Sequence, residues 1–251
     1  MNDIEVGIIG GTGGIGEWFA RFFREEGLTV HVSGRTTGMP AVEMARRCDI
    51  VIVGVPISAT CDVIRLVGPL VRRESLLMDL TSLKAEPVKA MLESSTSDVI
   101  GLHPLFGPDV PSLDGQNIVL CPARGTKWLP RVKELFLSRG AKLVEASPER
   151  HDELMAFVQG LTHLNTITMG LALRDAGIPQ AELEKFSTPI FRTRLACIEK
   201  IFLKNPRLYS EVIASNPHTK KITALYGDAL RRLEETVRKG KAEELKRLIE
   251  G

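Results

Sequence analysis

Seven short apolar runs alternate with helix-like stretches in the first part of the chain. They cover residues 6–9, 30–32, 50–55, 76–80, 99–102, 118–120 and 143–144. The runs are rich in Val, Ile and Leu and lack polar alternation, which is typical of strands buried on both faces of a parallel sheet. Their alternation with helices predicts a doubly wound α/β domain.

The pattern changes after Ser147-Pro148, where helical spacing replaces the short apolar runs. Turn residues such as Gly177 and Pro189 divide this half into several helices. The sequence therefore predicts two domains, an α/β domain over residues 1–148 and an all-α domain over residues 149–251.

A glycine-rich turn follows the first apolar run and precedes an amphipathic stretch. Gly11, Gly13 and Gly16 form a Gly-x-Gly-x-x-Gly motif between a predicted strand and a predicted helix. The first glycine permits a tight turn, the second lets backbone amides approach a pyrophosphate, and the third lets the helix pack on the strand. This context predicts a Rossmann-type dinucleotide site. Its phosphate-binding residues are Gly11, Thr12, Gly13, Gly14, Ile15 and Gly16.

The segment after the second predicted strand bears on the choice between NAD and NADP. An NAD-specific site usually offers a carboxylate to the ribose there, but residues 33–37 contain no acid. Arg35 is suited to the 2′-phosphate of NADP, with Ser33 and Thr36 as additional hydrogen-bond donors. The sequence therefore favours NADP over NAD, the alternative being that Arg35 is a solvated loop residue.

Charge and cysteine usage exclude several other classes of protein. The net charge is +2, from 33 basic and 31 acidic residues that are mixed along the chain, so nucleic acid is not an expected partner. The four cysteines are widely spaced, which predicts no metal site and no disulfide framework. Without a signal peptide or a membrane-length apolar run, we expect a cytoplasmic protein with no membrane partner.

Polar segments follow two of the predicted strands, where ligands bind in open α/β sheets. They are residues 79–84 (Asp-Leu-Thr-Ser-Leu-Lys) and 103–108 (His-Pro-Leu-Phe-Gly-Pro). Two more lie in the helical half, residues 151–163 and 187–192, the latter reading Ser-Thr-Pro-Ile-Phe-Arg. Taken alone, His103 could be a loop histidine, Ser82 a helix cap and Lys84 a surface charge.

Together with the glycine turn, these segments resemble the prephenate dehydrogenase family, in its His-Pro-x-Phe-Gly-Pro branch. The resemblance covers nearly the whole chain. It implies a Rossmann domain, a helical domain that forms a homodimer, and a substrate cleft between them. The implied reaction is the oxidative decarboxylation of prephenate to 4-hydroxyphenylpyruvate with NADP or NAD, a step of tyrosine biosynthesis.

The resemblance also implies roles for individual residues. His103 accepts the proton of the ring hydroxyl, and Ser82 hydrogen-bonds beside it. Four positions match substrate contacts or share a face with one: Lys84, Gln159, His163 and Arg192. Arg192 faces the ring carboxylate in this assignment, and Gln159 lies one helical turn before His163.

Local sequence adds two expectations in the helical half. Thr188 before Pro189 predicts an N-cap followed by proline at the first helical position, which places Arg192 near a helix start. On one straight helix His151 and His163 would lie about 18 Å apart, too far to grip one small molecule. We therefore assign the substrate contact to His163 and a structural role to His151 with Asp152.

Three alternatives remain open at this point. Arogenate dehydrogenases share the ring chemistry and differ in an amino group on the side chain of the substrate. A deazaflavin-dependent NADP reductase could share the glycine turn, but it would not explain His103 with Arg192. A non-catalytic dimer that binds a dinucleotide is the third, because a fold does not establish a function.

Overall fold

A computed structural model of the chain describes residues 4–34 and 38–250. They form two compact units, Met1–Asp152 and Glu153–Gly251. Within the described residues, no helix is both long and apolar enough to cross a bilayer.

The first unit contains a seven-stranded sheet in the order β2-β1-β3-β4-β5-β6-β7. The strands are β1 (Glu5–Ile9), β2 (Thr29–Ser33), β3 (Ile50–Val53), β4 (Leu76–Asp79), β5 (Asp98–Pro104), β6 (Asn117–Arg124) and β7 (Lys142–Glu145). Each of the seven apolar runs is a strand, so the predicted α/β fold is confirmed.

The sheet departs from the predicted parallel arrangement at one place. Strands β1 to β5 are parallel, but β6 runs antiparallel to β5, and β7 is parallel to β6. A parallel crossover needs a helix-sized connection, whereas residues 105–116 between β5 and β6 contain no helix. The chain therefore returns as a long hairpin.

Helices cover both faces of the sheet. They are α1 (Gly14–Glu25), α2 (Ala41–Arg47), α3 (Ile57–Val67), α4 (Ala85–Ser94) and α5 (Leu129–Leu137), with a 3₁₀ turn at Gly68–Leu70. Aromatic residues of α1 pack with Ile8 and Ile52 on one face, whereas Met44 and Ile64 pack with Val51 and Val53 on the other. This alternation along the strands is what a doubly wound sheet requires.

The second half is helical, as predicted. Helix α6 (Pro148–Met155) continues through a π-helical segment, Ala156–Leu161, into α7 (Thr162–Asp175). The remaining helices are α8 (Gln180–Lys185), α9 (Pro189–Glu199), a π-helical segment Lys200–Lys204, α10 (Pro206–Ser215), α11 (Thr219–Arg238) and α12 (Ala242–Glu250).

Candidate active site

In the glycine turn after β1, the surroundings of Gly10, Gly11 and Gly16 leave no space for a side chain. Gly10 has a φ of +86°, and its amide donates to the Ser33 carbonyl at 2.8 Å. A Cβ on Gly16 would lie 2.4 Å from the Gly10 carbonyl oxygen, and one on Gly11 would lie 2.8 Å from Val32 Cγ1. The first and third glycines of the motif are therefore required by packing within the protein.

The middle glycine differs from its neighbours. A Cβ on Gly13 would find only the Gly10 carbonyl oxygen within 4 Å, at 3.5 Å, and the residue is exposed. Gly13 is the N-cap of α1 and makes no side-chain cap, so no N-cap side chain covers the first amides of this helix. A helix start of this kind is suited to an anion.

The predicted ribose-binding residues are only partly described. Arg35 and Thr36 lie outside the described residues. Ser33 is buried at the end of β2, and its carbonyl accepts from the amides of Gly10 and Gly11. The Ser33 carbonyl therefore helps to hold the glycine turn in place.

The segment after β4 encloses an ion pair. Lys84 and Asp79 are both completely buried and pair directly, and Lys84 Nζ also donates to the Leu102 carbonyl at 2.9 Å. The family resemblance assigned Lys84 to the substrate, but the structure instead places its ammonium in this closed pair. Ser82 lies partly exposed in the same loop, and the amide of Thr81 donates to Asp79 at 3.1 Å.

His103 lies near the carboxyl end of β5 and is 3% exposed. Its Nδ1 is 2.8 Å from His151 Nε2, and His151 Nδ1 is 2.7 Å from Asp152 Oδ1. Asp152 also accepts from the amides of Lys84 and Ala85, at 2.8 and 3.0 Å, where α4 begins. Sequence reasoning noticed the His151-Asp152 pair but missed its contact with His103, because residues 48 positions apart carry no periodic signal.

Burial lowers the pKa of His103 well below its ordinary value of 6.5, and the nearby His151 and Lys84 lower it further. A buried imidazole surrounded in this way stays neutral at physiological pH. Neutral imidazole can accept a proton.

The loop after His103 packs on the glycine turn and on α1. The ring of Phe106 lies 5.1 Å from that of Trp18, and Trp18 Nε1 donates to the Val110 carbonyl at 2.8 Å. A Cβ on Gly14 would lie 3.1 Å from Pro108 Cγ. The structure therefore brings the glycine motif and the His-Pro-Leu-Phe-Gly-Pro segment together at one edge of the sheet.

In the second unit, Arg192 lies in the first turn of α9. Thr188 Oγ1 accepts from the Phe191 amide at 3.2 Å, and Pro189 is the first helical residue. The predicted cap is thus confirmed. The Arg192 side chain is exposed, and its Nη2 lies 3.4 Å from the Ser187 carbonyl.

His163 lies in α7 and stacks edge-on with Tyr209 of α10, at 4.8 Å between ring centres. Burial lowers the pKa of His163. Gln159 lies in the π-helical segment, so its spacing to His163 is not that of a regular α-helical turn. Tyr209 was missed by sequence reasoning, since no motif in the sequence points to it.

One cluster of potential metal ligands occurs among the described residues. Glu5, His31 and Cys48 present ligand atoms within 4.8 Å of one another. Arg47 already pairs with Glu5 at 2.6 Å, and burial raises the pKa of the Cys48 thiol to about 11. We assign the cluster to an ion-pair network at the start of β1.

Two family descriptions match the chain in succession. Residues 19–145 match "Prephenate dehydrogenase, nucleotide-binding domain", and residues 147–251 match "Prephenate dehydrogenase, dimerization domain".

Similar proteins and structures agree with this match. A protein of Methanocaldococcus jannaschii named "Probable arogenate/prephenate dehydrogenase" is 37% identical over 94% of this chain and 57% of its own length. A T-protein of Haemophilus influenzae is 35% identical over 93% and 63%. The chain thus spans about three fifths of these relatives. A crystal structure of prephenate dehydrogenase from A. aeolicus, with hydroxyphenyl propionate and NAD+, shares the fold at a TM-score of 0.79 and 20% identity, covering 100% of this chain and 96% of that one. On these matches, the chain belongs to the prephenate dehydrogenase family.

Proposed function

We propose that the chain is a prephenate dehydrogenase of the His-Pro-x-Phe-Gly-Pro branch. It would convert prephenate to 4-hydroxyphenylpyruvate and carbon dioxide with NADP or NAD. The observation that carries the proposal is the buried histidine of lowered pKa, His103, near the end of β5, where the loop that follows packs against the glycine turn. A proton acceptor beside a dinucleotide site is what the reaction needs.

The glycine turn fits a dinucleotide. The amides at the start of α1 would hold its pyrophosphate, and the open surface at Gly13 leaves room for close approach. When bound, the nicotinamide would supply the hydride acceptor. We propose NADP as the preferred form, on the strength of Arg35 and the lack of an acid in residues 33–37.

Gly13→Ala tests this fit. The backbone of Gly13, with φ −93° and ψ 161°, accommodates alanine, so the free energy of unfolding is expected to change by no more than about 1 kcal/mol, the scale of an N-cap substitution. The added methyl group would stand where the pyrophosphate approaches, and dinucleotide affinity is expected to fall about tenfold or more. Calorimetric titration with NADP and NAD measures the affinity.

Gly16→Ala is the matched control, because its Cβ would overlap the Gly10 carbonyl oxygen and is expected to lower stability and affinity together. Unchanged affinity in Gly13→Ala would remove the glycine turn from the proposed site.

The chain's own residues have three tasks in the proposed reaction. His103 accepts the proton of the ring hydroxyl as the hydroxyl becomes a carbonyl. Ser82, partly exposed in the loop after β4, hydrogen-bonds the same hydroxyl. Arg192 binds the ring carboxylate, which departs as carbon dioxide and leaves its electron pair to the aromatic ring. His163 and Gln159 are further proposed substrate contacts, as the resemblance implies.

Lys84 has a different task in this proposal from the one the resemblance implied. Its ammonium pairs with Asp79 and donates to the carbonyl of Leu102, the residue before His103. We therefore propose that Lys84 supports the strand end that carries His103.

Arg192→Gln is expected to raise KM for the substrate about 10–100-fold with a smaller change in kcat, because a charge-assisted contact to a ground-state carboxylate is lost. Steady-state kinetics over a range of substrate concentrations measures both constants. Arg194→Gln, an exposed arginine of the same helix, is the control and should leave KM unchanged. An unchanged KM in Arg192→Gln as well would place the carboxylate elsewhere.

We also propose that the protein is a homodimer through its helical half. The family description of residues 147–251 names a dimerization domain. The second unit exposes several large apolar side chains: Phe186, Ile190, Leu203, Leu225, Leu230 and Val237. Light scattering should give a mass near twice the 27.6 kDa of the chain, and a monomer at micromolar concentration would contradict the proposal.

Arogenate dehydrogenase is the second candidate, supported by the name of the Methanocaldococcus jannaschii relative. Reduced-nicotinamide absorbance with prephenate or arogenate, each with NADP or NAD, separates the two. Turnover with prephenate and NADP supports both the substrate and the Arg35 interpretation. Turnover with arogenate alone would identify the activity as that of an arogenate dehydrogenase. No turnover in any combination, from folded protein that binds a dinucleotide, favours the non-catalytic dimer.

A further inference from the structure

Three buried side chains form a hydrogen-bonded line that begins at His103. His103, His151 and Asp152 are 3%, 1% and 2% exposed. The two hydrogen bonds that join them measure 2.8 and 2.7 Å. His103 belongs to β5, whereas its two partners belong to α6.

The acceptor at one end of the line fixes the direction of its hydrogen bonds. The Asp152 carboxylate accepts from two backbone amides, those of Lys84 and Ala85, and it can only accept from His151 Nδ1–H. With His151 neutral, its one N–H goes to Asp152, and its Nε2 is then the acceptor for His103. His103 then donates its own Nδ1–H, and its lone pair resides on Nε2.

We propose that His151 and Asp152 are positioning residues for the proton acceptor. They hold His103 in the Nδ1–H tautomer, with Nε2 as the atom that takes the proton of the substrate hydroxyl. This inference rests on the proposed function. It replaces the purely structural role that the sequence suggested for this pair.

The hydrogen-bonded line from His103 to Asp152 also stabilises the positive charge that His103 gains in the proposed reaction. When His103 Nε2 accepts a proton, the imidazolium remains hydrogen-bonded to His151, whose other nitrogen donates to a carboxylate. A charge developing in a buried site is stabilised by such a preorganised group. The charge of Lys84, which also acts on His103, is already paired with that of Asp79.

Asp152→Asn separates positioning from plain structural support. With its NH₂ group at the Oδ1 position, the new side chain would donate to His151 Nδ1, and its oxygen would still accept from the Ala85 amide, whereas the Lys84 amide would lose its acceptor. His151 would then donate from Nε2, and His103 would carry its hydrogen on Nε2, where it cannot accept one. We expect kcat to fall about 10²-fold or more, with KM nearly unchanged, because general base catalysis is worth about 10²–10⁴. Glu149→Gln, an exposed residue of the same helix, removes the same charge and should leave kcat unchanged.

The tautomer itself can be measured without any turnover. Nitrogen-15 NMR of the full-length protein, with His103 assigned through His103→Asn, distinguishes Nδ1–H from Nε2–H. We expect Nδ1–H in the wild type and Nε2–H in Asp152→Asn. An Nε2–H tautomer in the wild type, or an unchanged tautomer with normal kcat in Asp152→Asn, would overturn the inference.

A double variant tests the coupling. In the His103→Asn background, Asp152→Asn should cost no further activity, since there is no acceptor left to position. A full additional loss would instead show that Asp152 is only structural. If Asp152→Asn fails to fold, His151→Phe provides a ring without an acceptor atom and is expected to give the same loss of kcat and of the Nδ1–H tautomer. Normal kcat in folded His151→Phe would equally overturn the inference.

These outcomes separate the two proposals. A wild-type protein that turns over neither substrate with either dinucleotide refutes the proposed function. The NMR result still decides whether His151 and Asp152 set the tautomer of His103.

Discussion

His103→Asn is expected to lower kcat about 10²–10⁴-fold while KM for the substrate changes little, because a general base acts on the transition state more than on the bound ground state. Asparagine retains a polar side chain of similar reach but cannot take up a proton at neutral pH. Steady-state kinetics with saturating dinucleotide gives both constants.

The control for this variant is His218→Asn, which alters a histidine of the second unit outside the proposed machinery. It should retain wild-type kcat. Near-normal kcat in His103→Asn would remove His103 from the chemistry, whatever the substrate.

The same residue predicts how the rate responds to acid. Because burial lowers the pKa of His103 below 6.5, His103 stays neutral and active in mildly acidic buffer, and kcat is expected to fall only at a pH below 6.5. A decline in kcat that begins above neutrality would contradict this assignment.

Lys84→Met is expected to lower the free energy of unfolding by about 3–5 kcal/mol, because removal of one partner leaves a buried charge without compensation. Asp79 is fully buried, and its Oδ1 has no hydrogen-bond partner among the described residues. The loss of Lys84 would therefore leave the carboxylate with the amide and hydroxyl of Thr81. Urea denaturation followed by circular dichroism measures the change.

Two further variants sharpen the test of Lys84. Lys89→Met, an exposed lysine of the same helix, should change stability by less than about 0.5 kcal/mol. Combining Lys84→Met with Asp79→Asn removes both charges and should restore much of the lost stability. A stability within about 1 kcal/mol of wild type in Lys84→Met alone would show that the pair is dispensable.

The fold was predictable from the sequence because its strands are buried on both faces. Each apolar run had to be a strand of a covered sheet, and the glycine turn placed the first strand next to a helix start. The reversal at β6 was not predictable from strand composition, because parallel and antiparallel central strands are equally apolar here. Only the absence of a helix in residues 105–116 distinguishes the two arrangements.

The candidate site was predictable in part. The Thr188 cap follows from local chemistry and is confirmed. The hydrogen-bond partners of His103 and Lys84 were not predictable in this way, because they depend on tertiary contacts and not on local sequence. A lysine two residues after a serine, such as Lys84, has the sequence appearance of a surface or ligand-binding residue. Its complete burial with Asp79 depends instead on how β4 and α4 meet.

The reversal at β6 has a consequence for how this fold can vary among related chains. In a crossover connection, a change in length must pass through a helix that packs on the sheet. Here both ends of residues 105–116 enter the same edge, where Pro104 of β5 pairs with Ile118 of β6. A change in the length of this segment therefore leaves the register of the seven strands fixed, provided that Phe106 and Pro108 keep their contacts with Trp18 and Gly14. This edge of the sheet can therefore vary in length beside the candidate active site, in a fold that is otherwise constrained by its core.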